Sequence, residues 1–353
     1  MANPLLIKTS SLGDVIHMLP ALSDLLRMRP DVKVDWVVEK AFAEIPAWHP
    51  AVAEVIPVEI RRWRKHPVQF FRSPDWRALR DRLQQAPLAV DAQGLVKSAW
   101  MMPWVSGPRI GYDRDSIREP LASLFYTDRV KVSRALHAIE RNRQLLAQAM
   151  GYDCPDTPPD FGIVSRLTAP QNTSPDTNSD ISASGVFLLH GTTWPTKHWP
   201  EAYWVSLVRA LRARGVPVTV TWGNDAERAR ARHLESVGAC VLPKGDLTTL
   251  ARALARAQAV VTVDTGLGHL AAALNRPVVA LFGPTSAQLT GLYGAEQTSL
   301  QSGYHCSPCL KRRCRYEGLS GVDAPPCWAS VTPEQVLRAL RAYVPQMNEV
   351  RQS

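Results

Sequence analysis

Runs of apolar residues alternate along the chain with segments of helical periodicity, and this pattern predicts an α/β fold. Residues 4–8 read as a short buried strand, and a Ser/Gly loop separates them from apolar residues at helical spacing over 15–26. Further strands are predicted at 34–38, 52–58 and 88–91, and helices at 76–84 and 135–150. Such alternation is typical of a mostly parallel sheet with helices on both faces.

A polar stretch rich in Ser, Thr, Asn and Pro interrupts the pattern at 166–185 and predicts a linker, because it has no apolar face to bury. The alternation then restarts, with strands at 186–190, 216–222, 260–264 and 278–282 and helices at 202–214, 225–236 and 267–274. We therefore predict two Rossmann-like domains, at 1–165 and 186–331, and a C-terminal helix and tail at 332–353. Ligands of such folds bind at the carboxyl ends of strands, so we expect the site in a cleft between the domains.

The charge balance changes this picture by favouring an anionic partner. The 353 residues include 41 Lys and Arg against 32 Asp and Glu, a net charge of +9. In residues 61–82 the basic residues outnumber the acidic ones by eight to two, and aromatic residues are interleaved with them. This pattern suits an anionic lipid surface or single-stranded nucleic acid, and it also fits a solvated basic face.

Hydropathy and cysteine usage bear on the compartment. No apolar run reaches 18 residues, and the apolar part of the N-terminus is too short for a signal peptide, so we expect a cytoplasmic protein with reduced thiols. Cys306, Cys309, Cys314 and Cys327 have a spacing that can bind a structural zinc ion through four thiolates. A single C-x2-C pair with two looser cysteines fits a loop of reduced thiols as well.

The second domain holds three candidate binding motifs, each following a predicted strand. Residues 264–269 (Asp-Thr-Gly-Leu-Gly-His) open a helix with small residues, which suits phosphate binding or a plain helix cap. The hydroxyls and the lysine in 192–197 suit a diphosphate, or a solvated loop. Glu227 can bind sugar hydroxyls or simply begin a helix.

In the first domain, Asp14 follows Gly13 at a strand-to-helix turn. A carboxylate at the carboxyl end of a strand can act as a general base. Helix capping is the alternative.

Several of these segments resemble the bacterial lipopolysaccharide heptosyltransferases. The resemblance rests on residues 8–17 (Lys-Thr-Ser-Ser-Leu-Gly-Asp-Val-Ile-His), 91–98 (Asp-Ala-Gln-Gly-Leu-Val-Lys-Ser) and 264–270 (Asp-Thr-Gly-Leu-Gly-His-Leu), among others. It extends in order over about residues 4–295.

The resemblance implies an α/β fold of the GT-B type, in which two Rossmann-like domains face a central cleft. It implies an inverting transfer of L-glycero-D-manno-heptose from ADP-heptose to the Kdo of Kdo2-lipid A in inner-core synthesis. The enzyme would be a monomer that needs no cofactor for catalysis and binds no nucleic acid. It would lie in the cytoplasm, in peripheral contact with the anionic inner face of the inner membrane of a Gram-negative bacterium.

The resemblance also assigns roles residue by residue. Asp14 matches the general base, and Lys197 would both bind the donor and stabilise the leaving group. The matching donor-binding positions are Thr192, Thr193, Lys197, Glu227, Asp264, Thr265, Gly266 and His269. The matching acceptor-binding positions are Ser11, Arg61, Arg62, Arg64, Lys65, Lys97 and Arg118.

One alternative within the family concerns the acceptor. The Cys-Ser-Pro-Cys segment at 306–309 looks more like the family members that add the second heptose to the first. The basic run at 61–65 instead favours the Kdo carboxylate and nearby phosphates.

Overall fold

The computed structural model describes residues 2–169, 185–294, 296–316 and 324–347. The chain divides into two compact units, Met1–Ile163 and Val164–Ser353. Residues 170–184, most of the predicted linker, lie outside the described residues. The linker's first residues belong to a helix at Val164–Thr168, so the chain is still helical where the sequence predicts the linker to begin.

In its described residues the first unit contains one sheet of six parallel strands. They are β1 (Leu5–Ile7), β2 (Val34–Glu39), β3 (Val52–Val58), β4 (Ala89–Asp91), β5 (Arg109–Tyr112) and β6 (Asp128–Val130). Their order is β3-β2-β1-β4-β5-β6, the order of a Rossmann fold. The strand order reverses between β1 and β4, so the loops after these two strands border the switch point where such folds bind ligands.

Eight α-helices of the first unit are described, and several are only one turn long. They are α1 (Leu12–Ile16), α2 (Leu19–Met28), α3 (Glu44–Ala47), α4 (Ile60–Trp63), α5 (Pro67–Phe71), α6 (Pro74–Gln85), α7 (Val96–Ala99) and α8 (Ala138–Met150). Short 3-10 turns occur at Lys40–Phe42, Met102–Trp104 and Pro120–Phe125.

The helix predicted over 15–26 is wrong as a single element, because the structure divides this region into α1 and α2. Pro20 lies in the first turn of α2. Proline has no amide hydrogen, so it is tolerated at the start of a helix but not in its interior, and a single helix over 15–26 is disfavoured. The side-chain amide of Asn142 on α8 donates to the His17 carbonyl at this break, with a distance of 3.0 Å. Arg143 and Asp24 form a buried ion pair at 2.6 Å between α8 and α2. These contacts hold α2 and the end of α1 against α8.

The second unit repeats the same sheet. Its six described strands are β7 (Val186–Leu189), β8 (Val218–Val220), β9 (Cys240–Val241), β10 (Ala259–Val263), β11 (Val278–Phe282) and β12 (Gln297–Gln301). They are parallel and run in the order β12-β11-β10-β7-β8-β9, which is again the Rossmann order. The switch point of this sheet lies between β7 and β10.

The helices described for the second unit are α9 (Val164–Thr168), α10 (Glu201–Arg212), α11 (Asp225–Glu235), α12 (Leu247–Ala255), α13 (Gly266–Ala273), α14 (Ala287–Thr290) and α15 (Pro333–Leu340). Pro195–Lys197, Pro326–Ser330 and Pro345–Met347 form 3-10 turns. No helix in the described part of either unit is long and apolar enough to cross a membrane.

The core of the second unit forms because β10 and β11 are apolar on both faces. Every residue of both strands is buried, as expected for central strands of a parallel sheet that is covered on both sides. The apolar faces of α10 and α15 contribute Leu207 and Val336 to the same core. The predicted α/β fold is confirmed, and the polar loops that follow β7, β8 and β10 remain at one edge of the sheet.

Candidate active site

Asp14 lies in α1, directly after the loop that follows β1. Its Oδ2 atom accepts hydrogen bonds from the Ser11 amide at 2.7 Å and the Ser11 hydroxyl at 2.9 Å. Asp14 is half-buried, so its carboxylate is held on one side and is still accessible. The geometry fits a helix cap and a proton acceptor equally well.

Two side chains from the loop region after β4 hold the backbone that leads to Asp14. The Gln93 Oε1 atom accepts hydrogen bonds from the amides of Thr9 at 3.0 Å and Ser10 at 2.9 Å. Lys97 donates a hydrogen bond to the Ser10 hydroxyl. Sequence analysis missed Gln93 because its partner Ser10 is 83 residues away. The only available signal was its place inside a segment that carries the family resemblance.

Two lysines lie near enough to Asp14 to interact with its charge. Burial lowers the pKa of Lys8 and of Lys97, and the Asp14 carboxylate opposes the decrease in both. Lys8 is buried and donates a hydrogen bond to the Ala92 carbonyl at 2.7 Å. The carboxylate therefore has two ammonium groups nearby, and an anionic ligand can approach it at reduced electrostatic cost.

The loop after β4 is anchored by the buried carboxyl of Asp91. It accepts hydrogen bonds from the Tyr126 hydroxyl at 2.8 Å, the Ser98 hydroxyl at 2.9 Å and the Gln93 amide at 2.9 Å. Burial raises the pKa of Asp91, and these donors offset part of the rise. The network fixes the position of Gln93, and through it the loop before Asp14.

The predicted acceptor-binding residues differ in their immediate contacts. Arg62 is ion-paired with Glu59 at 3.0 Å and with Asp75 at 3.1 Å, so its charge is already matched within the unit. Burial raises the pKa of Glu39, and the amide and charge of Arg61 offset part of that rise, so these two residues are neighbours.

Ser11 contacts Asp14 directly, as described above, and the remaining four acceptor candidates divide into two pairs. Arg64 and Lys97 line a common cavity. Lys65 and Arg118 are exposed, and no contact described for the chain links either of them to Asp14.

In the second unit, Lys197 and Asp264 bring together the loops after β7 and β10. The Lys197 ammonium lies 2.7 Å from Asp264 Oδ2, and the side chains are only 15% and 8% exposed. His269 Nε2 lies 3.8 Å from the other carboxylate oxygen. Burial by itself raises the pKa of Asp264, but the hydrogen bond from His269 and the Lys197 charge outweigh it and hold this pKa well below its usual range.

The N-terminus of α13 lies beside this charged group. Thr265 is the N-cap and Gly266 the first helical residue, so the first amides of the helix lack intrahelical partners and favour an anion. Gly268 allows close packing on β10, because a Cβ atom there would lie 2.7 Å from the Thr262 side chain. The loops after β7 and β10 thus place a lysine, a histidine and a helix N-terminus around Asp264.

Glu227 lies between the loops that follow β7 and β8. Its Oε2 atom accepts a hydrogen bond from the Gly223 amide at 2.7 Å. A Cβ atom on Gly191 would lie 2.7 Å from the Glu227 carboxylate. The Asn224 side chain caps α11 by accepting from the Glu227 amide at 3.0 Å. Glu227 is therefore held at the carboxyl edge of the sheet and is not only part of a helix start.

The loop after β7 places Thr192 half-buried and Thr193 exposed, ahead of Trp194. Lys197 and Arg312 both lie over the Trp194 ring, at 4.7 and 5.1 Å from its centroid. Sequence analysis missed Arg312, which comes from the cysteine-rich segment.

That segment also supports the loop after β7 directly. The Thr196 hydroxyl donates to the Lys311 carbonyl at 2.8 Å, and the Trp328 indole donates to the Thr196 carbonyl at 3.0 Å.

The cysteine-rich segment does not present the predicted zinc site. Burial raises the pKa of the Cys327 thiol to about 12, and the proximity of Cys306, Cys309 and Cys314 contributes to the rise. The four sulfurs are thus neighbours. Among the residues that the structure describes, however, no group of three or more His, Cys, Asp or Glu side chains is arranged to hold a metal ion. The zinc prediction is not supported. The segment contacts the loop after β7 and also the loop after β11, where the Ser307 hydroxyl donates to the Gly283 carbonyl at 2.6 Å.

Comparison with known proteins agrees with these features. The family model for glycosyltransferase family 9 (heptosyltransferase) matches residues 76–320. Lipopolysaccharide heptosyltransferase 1 of Pseudomonas aeruginosa is 49% identical, with 96% of this chain and 97% of that protein covered. Lipopolysaccharide heptosyltransferase 2 of Escherichia coli K12 is 33% identical, but over 43% of this chain and 44% of its own length.

The fold is also similar to solved structures. The E. coli heptosyltransferase WaaC with ADP has a TM-score of 0.81 and 39% identity, covering 97% of this chain and 100% of that chain. The structure of WaaC with ADP-2-deoxy-2-fluoro heptose has a TM-score of 0.78 and 37% identity, with the same coverage.

The two Rossmann-like units and the likeness to the solved WaaC structures show a glycosyltransferase of the GT-B type. Within that class, the chain belongs to glycosyltransferase family 9, the heptosyltransferases. The resemblance noted in the sequence is thereby confirmed.

Proposed function

We propose that the chain transfers L-glycero-D-manno-heptose from ADP-heptose to the Kdo of Kdo2-lipid A, as a lipopolysaccharide heptosyltransferase of the first type. The observation that carries the proposal is the Lys197–Asp264–His269 group beside the N-terminus of α13. This arrangement fits a sugar linked to a diphosphate, because it offers cationic and amide donors for phosphate and a carboxylate for sugar hydroxyls. The likeness to WaaC, solved with ADP and with an ADP-heptose analogue, supports the same donor.

We assign the donor's parts to separate residues. Lys197, the hydroxyls of Thr192 and Thr193 and the first amides of α13 bind the diphosphate. Asp264 and His269 bind heptose hydroxyls and the adjacent phosphate. Glu227 accepts hydrogen bonds from the ribose.

The proposed reaction is a direct displacement at the anomeric carbon. The Kdo hydroxyl attacks that carbon as the Asp14 carboxylate takes its proton, the bond to the diphosphate oxygen breaks, and ADP leaves from the opposite face with inversion. Both described hydrogen bonds from Ser11 end on Oδ2, so we assign the proton-accepting role to Oδ1. Lys197 and the α13 amides stabilise the negative charge on the departing ADP.

The basic residues of the first unit favour Kdo over heptose as the acceptor. Arg61, Arg64, Lys65 and Lys97 supply cations for a carboxylate and lipid phosphates, which a neutral heptose lacks. The greater coverage by the type 1 relative supports the same choice. A lipid-anchored acceptor also requires contact with the anionic cytoplasmic face of the inner membrane, which we propose as the working location.

Product analysis tests the proposal. The purified enzyme is incubated with ADP-heptose and either delipidated Kdo2-lipid A or the same acceptor already carrying one heptose, and products are identified by mass spectrometry. We expect one heptose to be added to the first acceptor only. Transfer only to the second acceptor would identify the alternative activity, and release of ADP and free heptose without transfer would contradict both.

Gly191→Ala is expected to weaken ADP binding by roughly 10- to 100-fold, because the added methyl displaces the Glu227 carboxylate and removes charged hydrogen bonds to the ribose. Glu227 is a flexible side chain, so the unit should remain folded. Isothermal titration calorimetry with ADP provides the measurement. Gly303→Ala is the matched control, because no described atom beyond the adjoining residues lies within 4 Å of the added Cβ. Equal ADP affinity in the two variants would remove Glu227 from the donor site.

A further inference from the structure

The first unit contains a cavity of about 500 Å³, and the reaction proposed above gives no role to its apolar part. Its walls come from α4, α5 and α7 and from residues next to these helices. Trp63, Phe70, Phe71, Val96 and Trp100 form the apolar lining, and Arg64, Lys97 and Glu119 form the polar part. Lys97 also holds the Ser10 hydroxyl in the loop before Asp14, so the cavity adjoins the proposed acceptor site.

The aromatic rings that line the cavity pack against one another and against Trp76 behind them. Trp63 and Phe70 are stacked with centroids 4.1 Å apart, and Trp76 meets Phe71 at 5.1 Å and Trp100 at 5.7 Å. Trp63 is buried, and its indole N–H has no hydrogen-bond partner within the part of the chain that is described. A mostly apolar cavity with a wall of packed aromatic rings is typical of a binding site.

Exposed apolar side chains are concentrated around the same cavity. The described part of the chain has eight large hydrophobic residues that are exposed, and five of them belong to α5, α7 or the turn Pro120–Phe125. These five are Val68, Phe71, Val96, Leu121 and Leu124, and the last two are 67% and 70% exposed. The turn lies beside α7, because the Glu119 carboxylate accepts a hydrogen bond from the Val96 amide at 2.8 Å. This concentration marks an interaction surface.

The charge around the surface identifies the kind of partner. Four basic residues flank the apolar side chains. Three of them lie on or next to α4 and one directly follows α5: Arg61, Arg64, Lys65 and Arg72. A soluble sugar phosphate would use the cations but not the cavity. Nucleic acid would use exposed ring faces, whereas these rings pack on one another. An anionic lipid uses both, through its headgroup and its hydrocarbon chain.

We propose that the cavity binds one fatty acyl chain of the lipid acceptor, while Leu121, Leu124 and Val68 enter the membrane interface beside it. The inference rests on the proposed function, because it assigns a place to the apolar part of the same acceptor. Binding of the acyl chain in the cavity makes the chain a determinant of acceptor specificity. It also orients the acceptor headgroup toward Lys97 and Asp14.

The test compares two acceptors for each enzyme variant: fully acylated Kdo2-lipid A in nonionic detergent micelles, and the delipidated form. The readout is the ratio of kcat/KM for the acylated acceptor to that for the delipidated one. Phe71→Ser and Val96→Ser are each expected to lower this ratio about tenfold, because each removes apolar surface that contacts the chain. Met28→Ser is the matched control, since it removes an exposed hydrophobic residue from α2 and should leave the ratio unchanged.

The outcomes separate this inference from the function on which it rests. If the wild type uses neither acceptor, the proposed function fails. If the wild type uses both and the ratio is the same in all variants, the acyl site is wrong.

Binding to vesicles of phosphatidylglycerol and phosphatidylethanolamine is measured in parallel. One outcome would overturn the acyl site: the double variant Leu121→Ser/Leu124→Ser loses vesicle binding, but Phe71→Ser and Val96→Ser leave the kcat/KM ratio unchanged. The surface would then contact the membrane without binding an acyl chain. For the wild type, we expect the KM for the acceptor to fall as its acyl chains are lengthened. This measurement requires no variant.

Discussion

Asp14→Asn is expected to lower kcat by a factor of roughly 10² to 10⁴, the usual contribution of a general base. The amide is nearly isosteric and can still accept the hydrogen bond from the Ser11 amide, so the start of α1 should be preserved. It cannot take a proton from the hydroxyl of the proposed acceptor. The affinity for ADP should not change, because the proposed donor residues belong to the other unit. Steady-state kinetics and ADP calorimetry on the same preparation provide the measurement.

A capping aspartate elsewhere gives the matched control for Asp14. Asp246 accepts a hydrogen bond from the Thr249 amide at 2.7 Å at the start of α12, so Asp246→Asn makes the same chemical change at a helix cap. We expect it to leave kcat within a factor of two. If Asp14→Asn kept kcat within tenfold of the wild type while remaining folded, the base would be another group and Asp14 would be a cap only.

The sequence predicted those parts of the fold in which burial decides the residue types. β10 and β11 are buried on both faces, so their apolar runs identify them without reference to the rest of the chain. β12 was missed because it is an edge strand of sequence Gln-Thr-Ser-Leu-Gln that contains only one apolar residue. β9 was missed because it is two residues long. Both depend on pairing with a neighbouring strand, which local sequence does not encode.

The candidate site divides in the same way. Asp14, Lys197 and Asp264 follow strands, so their place at the edge of a parallel sheet could be inferred from order along the chain. The roles of Gln93 and Arg312 could not, because each contacts a loop that is distant in sequence. For the aromatic cavity, the sequence showed only that basic and aromatic residues are concentrated in one segment. Its shape also requires Trp100, which the fold of the first unit brings to that segment.

Lys197→Met is expected to weaken the enzyme in two measurable ways. The first is kcat, which should fall by roughly 10² to 10³, because the departing diphosphate loses its charged donor. The second is the free energy of unfolding, which should fall by about 3–5 kcal/mol, because Asp264 would stay buried without the lysine and would keep only its interaction with His269. Kinetics and urea unfolding measure the two effects. Lys197→Arg should recover part of both, since it retains the charge.

The pH dependence of stability provides a further test of the Lys197–Asp264 pair. The pKa of Asp264 is lower in the folded state than the unfolded value of about 3.9, so the unfolded chain binds more protons between these values. The pair therefore stabilises the fold at neutral pH, and this contribution is lost as the pH falls below about 5 toward the folded pKa. Lys197→Met should reduce that dependence. Lys244→Met, which removes a lysine over the Trp222 ring in the same unit, should retain it. Unchanged kcat and unchanged ADP affinity in Lys197→Met would show that the diphosphate binds elsewhere, even if stability fell as expected.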